Sequence, residues 1–318
     1  MRNRPLLNLV LALFAFATGR LHAATENIPL ANQRVLWLGD SITQAGDYVT
    51  FTEYYLEKAN PQTKFDIVSI GLSGETVSGL SEKTHPFPRP CVHNRLPRAL
   101  ELVKPALVIA CYGMNDGIYH PASRERLEAF QDGMRKLIDA GHAAGARVIV
   151  LTPPPFGHPP GRTVLPKDAP DFSYSAPYEN YDEVLAEFAR WEMTLPPKDA
   201  LAIDLHTPMN NAQAKRRETN PGFSFAVDGV HPTPLGHLLM AQIVLHGLGV
   251  MLPDMPVDLD AEFARIQADP VYALIKQRRE ARSTAWLAYV GVPGAIERAE
   301  TDCAKLQSQI DGLRAKTP

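Results

Sequence analysis

The chain has 318 residues, of which 45% are apolar and 21% are charged, a composition typical of a globular protein with a sizeable core. This composition excludes a disordered tail and a collagen-like chain. The net charge of −3 argues against a nucleic-acid-binding protein, because such domains usually carry a basic excess.

The first 23 residues have the pattern of a secretory signal peptide. Arg2 and Arg4 precede an almost wholly apolar run at residues 6–17, and Ala23 offers a small residue at the cleavage site. An uncleaved anchor is the alternative, although the run is shorter than the ~20 apolar residues of a transmembrane helix. Cleavage changes the net charge from −3 to −6 and predicts a periplasmic or extracellular protein without stable membrane insertion.

Short apolar runs and helical patterns alternate along the mature chain. The apolar runs predict strands at residues 34–38, 65–70, 106–111, 147–151 and 200–205. Apolar spacing and capping residues predict helices at residues 48–59, 123–140, 178–193 and 234–248. Because buried parallel strands read as continuous apolar runs, we expect a three-layer α/β/α sandwich with a five-stranded parallel sheet.

The C-terminal part of the chain has a different pattern. Pro270 is expected to begin a helix that ends near Gly291, and a second apolar stripe with spacings of three and four follows a Pro293-Gly294 turn. We therefore expect a core domain at residues 24–257 and a C-terminal helical hairpin at residues 258–318. The hairpin can pack on its own core or pair with another subunit, so the oligomeric state stays open.

Only three cysteines are present, which is too few for a dense disulfide framework even in an exported protein. Cys303 falls in the apolar stripe of the C-terminal helix and is predicted to be a buried free thiol. A bridge between Cys91 and Cys111 stays open.

Polar residues cluster in four loops, three of which directly follow predicted strands. The carboxyl ends of parallel strands are where such sheets bind ligands, so each loop is a candidate for chemistry. Each loop also has a purely structural alternative. In chain order, these alternatives are a helix-capping serine, an ordinary glycine turn, an Asx-turn and a structural histidine. The four sequences are Gly39-Asp-Ser-Ile-Thr43, Gly71-Leu-Ser-Gly-Glu-Thr76, Gly113-Met-Asn-Asp116 and Asp228-Gly-Val-His-Pro232.

Taken together, the four loops contain the parts of a nucleophilic hydrolase. A serine hydroxyl is a weak nucleophile that needs a base, and His231 can take the proton of Ser41. Asp228 can fix the imidazole tautomer and stabilise the imidazolium. The amide N–H groups of Ser41 and Gly74 and the side chain of Asn115 can stabilise the developing oxyanion.

This ordered set of blocks resembles the SGNH (GDSL-like) hydrolase family. The resemblance spans residues 35–231 and implies a flavodoxin-like sandwich. It also implies Ser41 as nucleophile, Asp228 and His231 as the other triad members, and Gly74 and Asn115 as oxyanion donors together with Ser41. One departure is visible, because the second block of the family often opens with an asparagine where this chain has Ser69 or Gly71.

Other catalytic motifs are missing from the sequence. There is no GxSxG nucleophile elbow, no HExxH zinc motif, and no GxGxxG or Walker loop. We therefore expect neither a metal nor a cofactor.

Two polar segments are expected to form a wall beside the serine. His85, Arg89 and His93 lie between the second block and the third strand, and Tyr119 follows the third block. We interpret these four residues as substrate-binding, with a solvated surface loop as the alternative.

The sequence thus predicts a secreted serine esterase that acts on short acyl esters, with acetyl groups on a small-molecule or polysaccharide carbohydrate as the expected substrate. A lipid esterase or thioesterase for longer acyl chains is one alternative. A catalytically inactive carbohydrate-binding relative is another, although every expected catalytic position is filled.

Overall fold

The structure is a computed structural model, and it describes residues 30–83, 85, 88–158, 161–250, 258–291 and 296–315, with only the backbone of residues 296–299. The predicted signal peptide at residues 1–23, the Pro293-Gly294 turn and the boundary expected at residue 257 lie outside these residues. No helix in the described ranges is both long and apolar enough to cross a membrane.

Five parallel strands form one sheet in the order β2-β1-β3-β4-β5. The strands are β1 (Arg34–Gly39), β2 (Asp66–Ser69), β3 (Leu107–Cys111), β4 (Arg147–Leu151) and β5 (Leu201–Ile203). Gly39 pairs with Cys111, and Cys111 pairs with Leu151, so the carboxyl ends of the three central strands are level. All five residues of β3 are buried, as expected for a strand covered on both faces.

Helices cover both faces of the sheet, which confirms the predicted three-layer sandwich. The first seven are α1 (Ser41–Ala45), α2 (Asp47–Ala59), α3 (Leu96–Val103), α4 (Arg124–Ala143), α5 (Tyr181–Glu192), α6 (His206–Arg217) and α7 (Pro234–Gly247). Helix α2 packs on α7, while α4 packs on β4, α3 and α5. The predicted cap of α4 is also present, because the Ser123 hydroxyl accepts a hydrogen bond from the Arg126 amide.

The C-terminal residues form three helices, α8 (Leu259–Ala268), α9 (Pro270–Gly291) and α10 (Ile296–Arg314). Helices α9 and α10 pack against each other, and α9 also packs on α2 and β2. The hairpin therefore lies on the core of its own chain. Helix α8, which the apolar pattern did not reveal, lies between α7 and α9.

Buried and half-buried ion pairs fix the hairpin to the core. Arg278 binds the carboxylates of both Glu53 and Glu57 on α2. Arg282 binds Asp66 and donates a hydrogen bond of 3.0 Å to the carbonyl oxygen of Ile67, so it satisfies a backbone acceptor of the edge strand β2.

Candidate active site

The first polar loop places Ser41 at the start of a helix. Strand β1 ends at Gly39, and the Asp40 carboxylate caps α1 by accepting a hydrogen bond of 2.9 Å from the Ile42 amide. The capping function that we considered for the serine is thus performed by its neighbour. The Ser41 hydroxyl instead lies 2.8 Å from Nε2 of His231.

His231 is held by Asp228 from the other side of its ring. Nδ1 of His231 lies 2.6 Å from Oδ2 of Asp228, while Oδ1 of Asp228 accepts hydrogen bonds from the Val230 and His231 amides. Because the carboxylate accepts at Nδ1, that nitrogen carries the proton and Nε2 is left to accept one from Ser41.

The two groups shift each other's pKa values in the direction that suits a base and its partner. The hydrogen bond to Asp228 raises the pKa of His231 above its ordinary value of 6.5, against the opposing effect of burial. Burial acts to raise the pKa of Asp228, but the hydrogen bonds from His231 and Val230 outweigh it and hold that pKa well below its usual range.

The second polar loop brings a glycine amide beside the serine. Gly74 has a φ of +75°, a left-handed conformation that favours glycine. Gly71 lies so close to α1 that an added Cβ would sit 2.3 Å from the Gln44 amide nitrogen, so this position has no room for a side chain here. Among the described residues, no oxygen accepts a hydrogen bond from the Ser41 or Gly74 amide.

The third polar loop buries Asn115 in contact with Asp40 and Glu75, the chain neighbours of Ser41 and Gly74. The Asn115 side-chain nitrogen donates to the carbonyl oxygen of Glu75 at 3.2 Å and lies 3.4 Å from Oδ2 of Asp40. Its side-chain oxygen accepts from Arg89 and Tyr119. The adjacent Asp116 organises the loop, because its carboxylate accepts three backbone amide hydrogen bonds, from Val77, Ser78 and Gly113.

Asp40 is a buried carboxyl close to this arrangement. Burial raises its pKa to about 7, with a contribution from the charge of Asp116, while the hydrogen bond from Ile42 and the proximity of His231 act in the opposite direction. Sequence reasoning gave Asp40 no role, although its position between a strand end and a helix start is a signal for an N-cap.

A cavity of about 500 Å³ opens beside Ser41. Three of the four residues interpreted as substrate-binding line it, namely His85, Arg89 and Tyr119. His93 does not line it and instead places Nε2 3.1 Å from the carbonyl oxygen of Val77.

Two further residues of the cavity wall were missed from the sequence. Glu82 forms a buried ion pair with Arg89, and Tyr174 donates a hydrogen bond of 3.2 Å to Oδ2 of Asp228. Tyr174 belongs to the proline-rich loop at residues 153–177 that follows β4, so a long loop after an active-edge strand was the available signal.

All three cysteines are free thiols, so Cys91 and Cys111 are not bridged. Cys303 is buried, as its place in the apolar stripe predicted. In the described part of the chain, no cluster of three or more histidine, cysteine, aspartate or glutamate side chains is suited to hold a metal ion.

Comparison with known families agrees with the geometry. The model of the GDSL-like lipase/acylhydrolase family matches residues 37–239, more than half of the chain. The chain belongs to this family. The resemblance noted from the sequence is thereby confirmed, and as a family member the protein is a serine hydrolase that acts on ester bonds. A comparison with curated proteins found no match.

Solved structures of esterases share the fold. Axe2, an acetylxylan esterase from Geobacillus stearothermophilus, is 20% identical over 71% of this chain and 97% of its own, with a TM-score of 0.51. Axe2 has been solved as catalytic mutants in which a serine or an aspartate is replaced by alanine.

A gut microbial diltiazem-metabolizing enzyme is 18% identical over 71% of this chain, with a TM-score of 0.52. The match covers only 49% of that enzyme, about half of its length. At these identities, the similarity to both enzymes establishes the fold.

Proposed function

We propose that the protein is an exported esterase that removes short acyl groups, acetyl above all, from carbohydrates through an acyl-enzyme on Ser41. The observation that carries this proposal is the chain of hydrogen bonds from Ser41 through His231 to Asp228. Ser41 and His231 line a cavity of about 500 Å³. Cavities of this volume are typical of small-molecule sites and have room for an acetylated sugar ring.

The first half of the reaction forms the acyl-enzyme. His231 takes the proton of the Ser41 hydroxyl at Nε2, and the serine oxygen attacks the ester carbonyl carbon. The negative charge that develops on the carbonyl oxygen is stabilised by the Ser41 and Gly74 amides and by the side-chain nitrogen of Asn115. The bond to the alcohol oxygen then breaks, and His231 returns the proton to the leaving alcohol.

The second half releases the acid. A water molecule gives a proton to Nε2 of His231 and attacks the acyl carbon, and the same three donors stabilise the second oxyanion. The bond between the acyl carbon and the Ser41 oxygen breaks, His231 protonates that oxygen, and the free acid leaves. Asp228 stays ionised and stabilises the imidazolium in both halves.

The scarcity of aliphatic side chains in the cavity lining supports a substrate with a short acyl group. Val230 is the only aliphatic side chain in the described lining, and the other members include Ser73, Ser173, Ser175 and Tyr174. A long acyl chain gains about 0.8 kcal/mol for each CH₂ that it buries, but only where an apolar surface covers it.

The proline-rich loop does not supply such a surface. Phe156 and Phe172 of this loop are buried in the hydrophobic core, and Leu165 packs against that core. The fold similarity to Axe2, an acetylxylan esterase, is a second and weaker support for a carbohydrate ester. These observations favour the acetyl esterase over the lipid esterase and the thioesterase.

Export is proposed from the sequence, since residues 1–23 have the order of a signal peptide. We expect a mature protein that begins near residue 24. N-terminal sequencing of protein recovered from the periplasm or the medium of the producing cells tests this, and an intact Met1 on membrane-bound protein would contradict it.

The substrate is tested by two measurements on the purified protein. We expect kcat/KM on p-nitrophenyl esters to fall from acetate to butyrate and again to octanoate, and acetate to be released from acetylated xylooligosaccharides. The Ser41→Ala variant is the control for spontaneous hydrolysis. A steady rise of kcat/KM from acetate to octanoate would favour the lipid esterase, and no turnover of any ester would favour a binding protein.

A further inference from the structure

Arg89 lies in the segment between β2 and α3, and its side chain is almost completely buried in the cavity wall. Its Nε and Nη2 atoms bind the two carboxylate oxygens of Glu82 at 2.5 and 2.6 Å, and both side chains are at most 3% exposed. Such a two-point pair fixes the plane of the guanidinium group.

The remaining nitrogen of Arg89 joins two parts of the oxyanion site. Nη1 donates to the carbonyl oxygen of Gly74 at 3.2 Å and to the side-chain oxygen of Asn115 at 3.0 Å. We propose that Arg89, held by Glu82, is a positioning residue that fixes Asn115 and Gly74 relative to each other as oxyanion donors. This inference rests on the proposed function, because it assumes that Asn115 binds the oxyanion.

The contacts around Asn115 allow only one orientation of its amide. A guanidinium group can only donate, so the Asn115 oxygen must face Arg89. The carbonyl of Glu75 can only accept, so the Asn115 nitrogen must face the opposite way, where it donates at 3.2 Å. The Tyr119 hydroxyl is a second donor to the Asn115 oxygen, also at 3.2 Å.

The same contacts strengthen the amide as a donor. A cation at the Asn115 oxygen withdraws electron density from the amide, and hydrogen bonds in series polarise one another in a dry interior. The burial of Asn115 and Arg89 keeps this polarisation from being screened by water. Arg89 therefore supports the transition state through Asn115, and four of its five N–H groups are already used within the protein.

Conservative variants in two backgrounds test the inference. Arg89→Lys keeps the charge but loses the fork that reaches Glu82, Gly74 and Asn115 together. Tyr119→Phe removes one donor and keeps the ring. The variants are made in the wild-type chain and in Asn115→Ala, and kcat and KM are measured with p-nitrophenyl acetate.

Two substitutions outside the site are matched controls. Arg278→Lys alters a buried arginine that binds Glu53 and Glu57. Tyr55→Phe removes a buried hydroxyl that donates to Glu262. Both controls are expected to lower thermal stability and leave kcat unchanged.

In the wild-type chain we expect kcat to fall on the order of tenfold for Arg89→Lys and a few-fold for Tyr119→Phe, with little change in KM. Both decreases in kcat are smaller than the decrease expected when a complete oxyanion donor is removed. In the Asn115→Ala background, the same substitutions are expected to change kcat less than about twofold, because residues that act through one group are not additive.

The positioning role would be overturned if the substitutions lowered kcat by the same factor in the wild-type chain and in Asn115→Ala. It would also be overturned if they changed only KM. If Arg89→Lys does not fold, Glu82→Gln takes its place in the same two backgrounds, because it weakens the pair that holds Arg89 and leaves Arg89 itself in the chain. An unchanged kcat for the single variant Asn115→Ala would overturn the oxyanion assignment of the proposed function, and this inference with it.

Discussion

The two halves of the candidate site differ in their exposure to water. On the oxyanion side (Gly74, Arg89 and Asn115), Gly74 is half-buried and the other two residues are buried, with Asn115 only 4% exposed and Arg89 only 7%. The base side (Tyr174, Asp228 and His231) is open, since the His231 and Asp228 side chains are 40% and 35% exposed.

The difference matches the chemistry that each side is proposed to perform. Donors to an oxyanion are most effective when fixed in a medium of low dielectric constant, where water cannot screen them. A base has to receive water for the second half of the reaction and return to its neutral form. The side chains that support the oxyanion are therefore buried, whereas the base stays accessible to the water with which it exchanges protons.

The largest effect is expected on the base side, for Asp228→Asn. An asparagine in this position holds His231 in the wrong tautomer, so we expect kcat to fall by about 10⁴. Measurement of kcat on p-nitrophenyl acetate checks this, with the thermal midpoint as a control for folding. A variant that keeps a tenth of the wild-type kcat would show that Asp228 only caps its own loop through the Val230 and His231 amides.

On the oxyanion side, Asn115→Ala is expected to lower kcat by roughly 10²–10³ with a much smaller change in KM. The oxyanion exists only in the transition state and the tetrahedral intermediate, so losing its donor does not weaken ground-state binding. Steady-state kinetics separate the two constants. A raised KM with an unchanged kcat would place Asn115 in substrate binding.

The pH dependence of the wild-type enzyme reports mainly on the base side, although the buried carboxyl of Asp40, whose pKa burial raises to about 7, titrates in the same range. Only neutral His231 can accept the serine proton, so kcat/KM is expected to rise about tenfold per pH unit below its pKa. Because the hydrogen bond to Asp228 raises that pKa, the midpoint should lie above 6.5. A pH profile with and without EDTA measures it, and a midpoint below 6.5 or a loss of activity with EDTA would contradict the assignment.

The smallest effect is expected for Tyr174→Phe. The Tyr174 hydroxyl shares Oδ2 of Asp228 with His231, so its removal leaves the carboxylate a stronger partner for the imidazolium. We expect the acid limb of the pH profile to move by a few tenths of a unit to higher pH. Tyr178→Phe, which lies directly after this loop and has its hydroxyl bonded to Asn180, is the matched control, and a shift to lower pH for Tyr174→Phe would contradict the argument.

The five strands were predictable from the sequence because each lies in a short apolar run, and helices α2, α4, α5 and α7 were predictable from apolar spacing or capping residues. Helices α1, α3, α6 and α8 were not predicted. Helix α1 has only five residues, too few to show a period, and α6 has mainly polar residues. Helix α3 does carry the helical pattern, because its buried residues Leu96, Ala99, Leu100 and Val103 recur at spacings of three and four, and this signal was overlooked.

The residues proposed as catalytic could be named from four short loops, because each loop follows a strand end or starts a helix on the same edge of the sheet. The residues that hold those side chains in place could not be named from the sequence. Glu82 and Arg89 are seven residues apart in an irregular segment, and Asp116 holds amides nearly forty residues away at Val77 and Ser78. Such contacts are set by tertiary structure and leave no local pattern.

The central claim is that Ser41 carries the acyl group, and trapping it is the most direct test. The protein is treated with a serine-directed phosphonate, and its intact mass and peptides are measured by mass spectrometry beside Ser41→Ala. We expect one phosphonyl adduct, on Ser41, with loss of esterase activity in proportion to labelling, and no adduct on the variant. An adduct on another serine, or full hydrolysis by Ser41→Ala, would contradict the proposed mechanism.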